Sequence, residues 1–259
     1  MKVALLISTY NWPEALEIVL LSVLRQSRMP DEVLIADDGS DERTARLIET
    51  YRTEHQLPIK HVWHEDQGFR KSIILNKAVK QASAPYVIEI DGDIILHPHF
   101  IADHLRAAER GYFVQGSRAM IGERKSGEIL RTKKWNIHAF ARGMTTRFNA
   151  IRFPLLSGLF KTDPQSSHNV KGCNLAFWLE DYVRINGYYN GFEGWGWEDY
   201  EFAERLINAG IRKKRLKWAA VGYHIFHALY SRGNFEPNEV IYRETVNKKL
   251  DYRQPGYEN

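Results

Sequence analysis

The sequence predicts an α/β fold: a parallel sheet covered by helices on both faces, with its chemistry at the carboxyl ends of the strands. Two observations carry this expectation. Between residues 3 and 90, short apolar runs alternate with segments of helical periodicity, the pattern of a parallel sheet with helical crossovers. Two of those runs stop in acidic clusters, Asp37-Asp38-Gly39-Ser40 and Asp91-Gly92-Asp93, and open α/β sheets bind ligands outside the carboxyl ends of their strands.

Each element has its own signal. Val3 to Ile7 reads as a strand. Pro13 suits the first turn of a helix, where its missing N–H costs nothing. Leu16, Val19, Leu20, Val23 and Leu24 then recur at helical spacing as one buried stripe. Val33 to Ala36 is a second strand, ending in the first acidic cluster, and a polar helix follows from Glu42 to Thr53. Ile59 to Trp63 is a third strand. Ser72 to Gln81 is a helix with Ile73, Ile74 and Ala78 apolar, and Tyr86 to Ile90 is a fourth strand, ending in the second cluster.

The stretch from Gly111 to Lys171 is less regular. Within it, Arg147 to Leu156 mixes basic and apolar residues, as either a packed surface helix or a segment facing a membrane or an acceptor would. Cys173 to Trp178 is strand-like, Glu198 to Ala209 is a helix closed by Gly210, a His-rich turn spans 224–227, and a polar helix ends the chain. There are no internal repeats. One domain over residues 1–259, with a nucleotide half over about 1–110 and an acceptor half over about 111–259, is the simplest arrangement.

Composition narrows the partners. A chain of 259 residues that is 44% hydrophobic and 26% charged can bury a core. Seven Trp and thirteen Tyr supply flat faces on which sugars or bases stack, or simply fill that core. The net charge of +4 comes without a compact Lys/Arg run among aromatics, which argues against nucleic acid and for phosphate-bearing ligands or an anionic membrane face. Cys173 is the sole cysteine, so a reducing compartment is expected. Met1 to Ser8 turns polar too soon for a signal peptide, and no run approaches the length of a membrane span. A cytoplasmic location is expected, with weak peripheral association at the inner face of the membrane.

The strand-end motifs carry the chemistry. No G-x-G-x-x-G follows the first strand, and Gly68-Phe69-Arg70-Lys71-Ser72 lacks P-loop spacing, so a dehydrogenase or P-loop NTPase is not expected. In Asp91-Gly92-Asp93 the carboxylates two residues apart point the same way. They suit Mg²⁺ or Mn²⁺ bridging to a diphosphate, although solvent turns also contain this string. Asp38 is placed to accept from the uracil or ribose of a nucleotide, or to cap the following helix. Arg70, after the third strand, is placed at the same mouth.

Gly194-Trp195-Gly196-Trp197-Glu198-Asp199 is the most specific string. Trp195 and Trp197 offer faces to a pyranose, and Glu198 and Asp199 sit at a helix start where the dipole favours their ionised form. Phe202, Ala203, Leu206 and Ile207 form that helix's apolar stripe. A buried Trp turn with capping acids would look the same. In His224-Ile225-Phe226-His227 the two imidazoles can converge on Mn²⁺ or, more strongly, Zn²⁺.

Ser8-Thr9-Tyr10-Asn11, Asp37-Asp38-Gly39-Ser40 and Asp91-Gly92-Asp93 resemble the inverting glycosyltransferase family 2, which has the GT-A fold. The strings Val170 to Trp178 and Gly194 to Asp199 resemble the galactosyltransferase-type C-terminal half, shared with bacterial chondroitin polymerases and animal β-1,4-galactosyltransferases. The resemblance covers about residues 3–100 and 170–240. It implies a single Rossmann-like nucleotide-binding sheet with a smaller acceptor half. The implied reaction moves a hexose or N-acetylhexosamine from a UDP-sugar to a saccharide or lipid-linked saccharide hydroxyl, in bacterial surface polysaccharide or lipopolysaccharide synthesis.

Residue by residue, the resemblance places Thr9, Asp38 and Asp91 on the nucleoside and Asp93 on the metal. It makes Asp199 the catalytic base and sets Glu198 on the acceptor. His227, followed by Asn234-Phe235-Glu236-Pro237-Asn238, resembles that family's metal turn. Three residues earlier the family has methionine where this chain has His224, which implies a two-histidine site. A sugar-1-phosphate nucleotidyltransferase and a non-catalytic carbohydrate-binding module are the rival readings.

Overall fold

The computed structural model describes residues 1–160, 162–228 and 234–258. Four parallel strands, β1 (Val3–Thr9), β2 (Glu32–Asp37), β3 (Ile59–Trp63) and β4 (Tyr86–Asp91), alternate with the helices α1 (Pro13–Val23), α2 (Glu42–Thr53) and α3 (Lys71–Val79). β1 lies between β2 and β4. Its odd residues Val3, Leu5 and Ile7 pack with Leu16, Val19 and Leu20 of α1 on one face. Ala4 and Leu6 pack with Ile74 and Leu75 of α3 on the other. Both faces are covered, so the strand reads as a continuous apolar run rather than an alternation. Each fully buried Leu or Ile here stabilises the fold by about 1.5–3 kcal/mol relative to exposure.

The chain continues through β5 (Ile94–Leu96), α4 (Phe100–Ala107), β6 (Tyr112–Gln115), β7 (Ser117–Met120) and α5 (Glu123–Thr132). It then passes β8 (Asn174–Trp178), α6 (Leu179–Arg184), α7 (Glu198–Asn208), β9 (Arg212–Arg215), β10 (Val221–His224) and α8 (Phe235–Lys248). Among the described residues the main sheet has the order β3-β2-β1-β4-β8-β6-β9, and β5-β10-β7 form a second, three-stranded sheet. The sheet is not wholly parallel, because β8 runs antiparallel to both β4 and β6. Asn174 starts β8 opposite Ile90 near the carboxyl end of β4, and Trp178 ends it opposite Tyr86. The chain thus enters β8 from the ligand side of the sheet.

Residues 147–156 form no continuous helix. Two 3₁₀ turns, Arg147–Ala150 and Pro154–Leu159, take their place, because Pro154 drives Phe153 out of helical geometry. In α7, Phe202, Ala203 and Leu206 are buried and Ile207 partly so. The helix also buries an ion pair: Arg205 donates to both carboxylate oxygens of Glu201, at 2.7 and 2.8 Å. Thr245 of α8 donates to the same carboxylate at 3.0 Å, which ties α8 to the back of the helix that bears Glu198 and Asp199. Among the described residues no helix is long and apolar enough to cross a membrane.

Candidate active site

β1 pairs with β2 on one side and β4 on the other, so the strand order reverses beside it, and such a switch point opens a crevice at the strand ends. A cleft of about 670 Å³ lies there, lined by Thr9, Asp38, Asp91 and Asp93 and, from the second half of the chain, Glu198, Asp199, His224 and His227. The acidic strand ends and the two distant motifs thus converge on one cavity.

Asp91, at the end of β4, accepts from Ser8 Oγ at 2.9 Å and from Lys71 Nζ at 2.6 Å. Burial opposes its charge, but the Lys71 ammonium and these bonds hold its pKa below the usual value. Asp38 is filled by the protein itself: Oδ2 accepts from the Arg70 backbone N–H at 2.9 Å, and Oδ1 meets His64 Nε2 at 2.7 Å. Burial raises its pKa against those partners. Arg70 reaches Asp38 by its backbone, and its side chain does not line the cleft. Lys71, the next residue, does.

The Gly194–Asp199 string forms a strained turn. Trp197 precedes α7 with φ of 72°, in the left-handed region where a bulky side chain is a genuine outlier of the kind found at functional sites. It is held there by stacking on Tyr242, with ring centroids 5.1 Å apart at 19°. Trp195 stacks on Phe235 at 6.0 Å and 23°. One face of each indole is thereby occupied, while both side chains still line the cleft.

Glu198 Oε2 accepts from the Gly196 N–H at 2.9 Å, and burial together with the neighbouring Asp199 charge pushes its pKa to about 7. Asp199 also rises through burial, against the pull of Lys71 and the Gly172 N–H. Gly172 has to be glycine: a Cβ there would lie 2.4 Å from Asp199 Oδ1 and 3.1 Å from Glu89 Oε1. Glu89, wholly buried on β4, receives Tyr188 Oη at 3.1 Å from each oxygen, and burial lifts its pKa well above the usual value. Lys71 therefore stands among Glu89, Asp91, Glu198 and Asp199, and despite burial they raise its pKa.

At the other end of the cleft, Asp93 Oδ2 lies 3.5 Å from His224 Nε2 and 3.3 Å from His227 Nε2. His224 closes β10, and His227 follows in the loop, so the pair converges from a strand end rather than a helix. The donor atoms of the three residues lie within 4.8 Å of one another. His227 Nδ1 is 2.7 Å from the Ala228 carbonyl. A carbonyl only accepts, so Nδ1 carries a proton and Nε2 is the nitrogen turned toward Asp93, whose carboxylate raises the His227 pKa. In the neutral ring Nε2 would be the ligating atom. Asp93 Oδ1 is buried with no protein partner. A carboxylate and two imidazoles around an unsatisfied oxygen fit a divalent cation.

Eight buried side-chain polar atoms lack partners among the described residues, and four of them belong to cleft residues: Asp93 Oδ1, His224 Nδ1, Trp197 Nε1 and Asp199 Oδ1. Buried unsatisfied atoms are rare, and half of these lie on this one cleft. The sequence motifs did not expose Lys71, Glu89, Arg118 or Lys171. Arg118 and Lys171 line the cleft, and Arg118 also donates to the buried Cys173 thiol at 3.6 Å. Lys171 was visible inside the Val170–Trp178 string, whereas Arg118 sits on a four-residue strand with no pattern around it.

Residues 4–160 match Glycosyl transferase family 2, and residues 159–228 match the N-terminal domain of galactosyltransferase. The chain belongs to glycosyl transferase family 2. Validoxylamine A glucosyltransferase of Streptomyces hygroscopicus subsp. limoneus is 28% identical over 225 residues, covering 80% of this chain and 48% of that protein. Chondroitin synthase of Escherichia coli is 25% identical over 255 residues, covering 85% of this chain and 34% of that protein. The family 2 chain thus spans about half or less of these curated relatives.

S. aureus TarS in complex with UDP superposes with a TM-score of 0.67 at 16% identity, covering 98% of this chain and 68% of that one. The mannosyltransferase PcManGT from Pyrobaculum calidifontis, in complex with GDP-Man and Mn²⁺, gives 0.58 at 18% identity, covering 96% and 62%. These likenesses establish the GT-A fold.

Proposed function

We propose that the chain is an inverting glycosyltransferase that moves a hexose or N-acetylhexosamine from a UDP-sugar to an acceptor hydroxyl. The observation that carries this reading is Asp199 Oδ1, buried and unpartnered in the same cleft as Asp93 and the two histidines. A base and a diphosphate-side cation site on one cavity are what a single displacement requires. A carbohydrate-binding module needs neither. The relatives' names, glucosyltransferase, chondroitin synthase and poly-beta-1,6-N-acetyl-D-glucosamine synthase, support sugar transfer in polysaccharide synthesis.

Thr9, Asp38 and Asp91 line the nucleoside end. Asp93, His224 and His227 would hold the cation, and two imidazoles favour Mn²⁺ over Mg²⁺. When bound, the cation supplies positive charge at the leaving diphosphate. Lys171 and Arg118 add fixed charge from the same cleft. Asp199 takes the acceptor proton as the hydroxyl oxygen attacks the far face of the anomeric carbon, and its raised pKa makes it a better base than a free aspartate. Glu198, poised near neutrality, holds the acceptor by donating or accepting, beside Trp195 and Trp197.

We read the acceptor as a saccharide, or a saccharide carried on a lipid, met by a chain that associates weakly with the inner face of the membrane. The nucleotide half over residues 1–110 and the acceptor half over 111–259 act as one unit. Incubation with a panel of UDP-sugars, Mn²⁺ and saccharide acceptors tests the reading, with the product anomer assigned by NMR. A retained anomeric configuration, or sugar binding with no turnover of any donor, refutes it.

A further inference from the structure

We propose that the surface built by the two 3₁₀ turns and Trp218 docks on an anionic phospholipid bilayer, its leucines entering the acyl boundary and a lipid phosphate entering the basic pocket behind them. The proposal deepens the membrane-association part of the reading above and rests on it.

The patch is apolar where solvent would be expected. Leu155 is 90% exposed, Leu159 72% and Phe148 70%, with Phe153, Leu156 and Phe160 beside them in sequence and also exposed. It is held in place by the fold. Trp218 stacks with Phe148 at 25° and meets Phe160 edge-on at 4.6 Å between centroids. Trp218 Nε1 donates to the Phe148 carbonyl at 2.9 Å, and the Phe153 N–H donates to the Trp218 carbonyl at 2.7 Å. A soluble surface seldom carries such a cluster without a partner.

Its electrostatics select that partner. From Ile129 to Phe160 the chain has no Asp or Glu and six Lys or Arg. Behind the second turn, a pocket of about 360 Å³ is lined by Arg106, Lys214, Arg215 and Ser157. Ser157 is 9% exposed, and its hydroxyl has no hydrogen-bond partner. Two acids bear on this pocket, and both are engaged. Asp103 receives Arg152 at 2.7 and 2.8 Å and lies 3.6 Å from Arg106, and Glu109 receives Lys214 at 2.6 Å. The cations around the pocket thus outnumber its acids, and Arg215 is in no ion pair among the described residues. The sequence sets Arg147, Arg152 and Lys161 as basic contacts around these apolar residues; Arg152 is instead spent internally on Asp103, and Lys161 lies outside the described residues. Apolar tips, an aromatic belt and a cationic pocket with a free hydroxyl match the acyl, interfacial and phosphate layers of an anionic leaflet.

The surface also adjoins the cleft. The Arg147–Ala150 turn packs on β7, where Asn149 Nδ2 donates to the Arg118 carbonyl at 2.9 Å, and β7 sends Arg118 and Met120 into the cleft. Docking here would set the acceptor side of the cavity beside the bilayer.

Sedimentation of the intact chain with vesicles tests this, comparing equimolar phosphatidylglycerol and phosphatidylcholine with phosphatidylcholine alone. The parent should pellet with the anionic vesicles at low salt and be released at high salt. Each of Leu155→Ser and Leu159→Ser should weaken binding about tenfold, and Arg106→Ala with Arg215→Ala by a similar factor. The exposed leucine variants should keep transfer to a soluble saccharide, and the vesicle assay needs no donor, so loss of docking and loss of the transferase reading remain separable. Failure of the parent to pellet at low salt, equal pelleting of both leucine variants, or a dimer without vesicles that Leu155→Ser dissolves, overturns the proposal.

Discussion

The two ends of the cleft balance charge in opposite ways. Around Lys71, four carboxylates share one buried ammonium, and hydrogen bonds from Ser8, Tyr188 and the Gly196 N–H complete the compensation. Around Asp93 no lysine or arginine is paired with the carboxylate among the described residues; two imidazoles face it, and its Oδ1 has no partner. One end is finished by the chain. The other brings one carboxylate and two imidazoles together. On the function proposed above, the compensated end would hold and move a proton, and the other end would hold the divalent cation.

The largest expected effect breaks the compensated end at its unsatisfied member. Asp199→Asn keeps the shape but removes the base, and should lower kcat by ~10²–10⁴-fold with UDP affinity unchanged. Glu198→Gln, measured beside it, should cost far less. A near-normal rate for Asp199→Asn with Glu198→Gln inactive would reverse the two assignments. Gly172→Ala reaches the same carboxylate by sterics, because its Cβ would meet Asp199 Oδ1 at 2.4 Å. A displacement on the order of 1 Å costs about 10²-fold, so kcat should fall by that factor while UDP still binds. Equal loss of UDP affinity would show that the variant disturbs the whole cleft.

At the uncompensated end, calorimetry should show UDP binding strengthened by Mn²⁺ and abolished by excess chelator. His227→Ala should weaken the Mn²⁺-dependent component by about 10–100-fold, the range seen when metal-site partners are removed. UDP affinity that is the same with and without chelator would remove the cation from this corner.

What the sequence revealed follows from how each feature is encoded. The β1 to β4 half was legible because continuous apolar runs and helical stripes span enough residues to show a period. The Asp93, Asp199 and His227 strings were legible because rare residues stand together. The three-stranded sheet was not: β5, β7 and β10 have three or four residues each, too few for a period. Glu89 hid inside an apolar strand, and Lys71 inside a helix start, because their partners come from positions such as Tyr188 and Asp199 that only the fold brings near. The antiparallel entry of β8 was equally invisible, since a five-residue strand carries no sign of its direction.

The smallest expected effect sharpens the comparison by asking how many of the four carboxylates around Lys71 are charged. Burial raises the Glu89 pKa well above its usual value, against the opposing pull of Lys71 and Tyr188. Between the unfolded value of about 4.3 and the raised folded value, the native state holds a proton that the unfolded chain has lost. The unfolded-minus-native proton count is then negative, so stability falls as pH rises through that window, by at most about 1.4 kcal/mol per pH unit for one group. Glu198, with a pKa of about 7, adds to the same slope, so a difference measurement is needed. Glu89→Gln copies the neutral carboxyl and can still accept from Tyr188. Its stability relative to the parent, from urea midpoints at several pH values, should therefore increase with pH, while transfer changes only a few-fold. Parallel stability curves would mean that Glu89 is ionised in the fold and that Lys71 answers four charges rather than three.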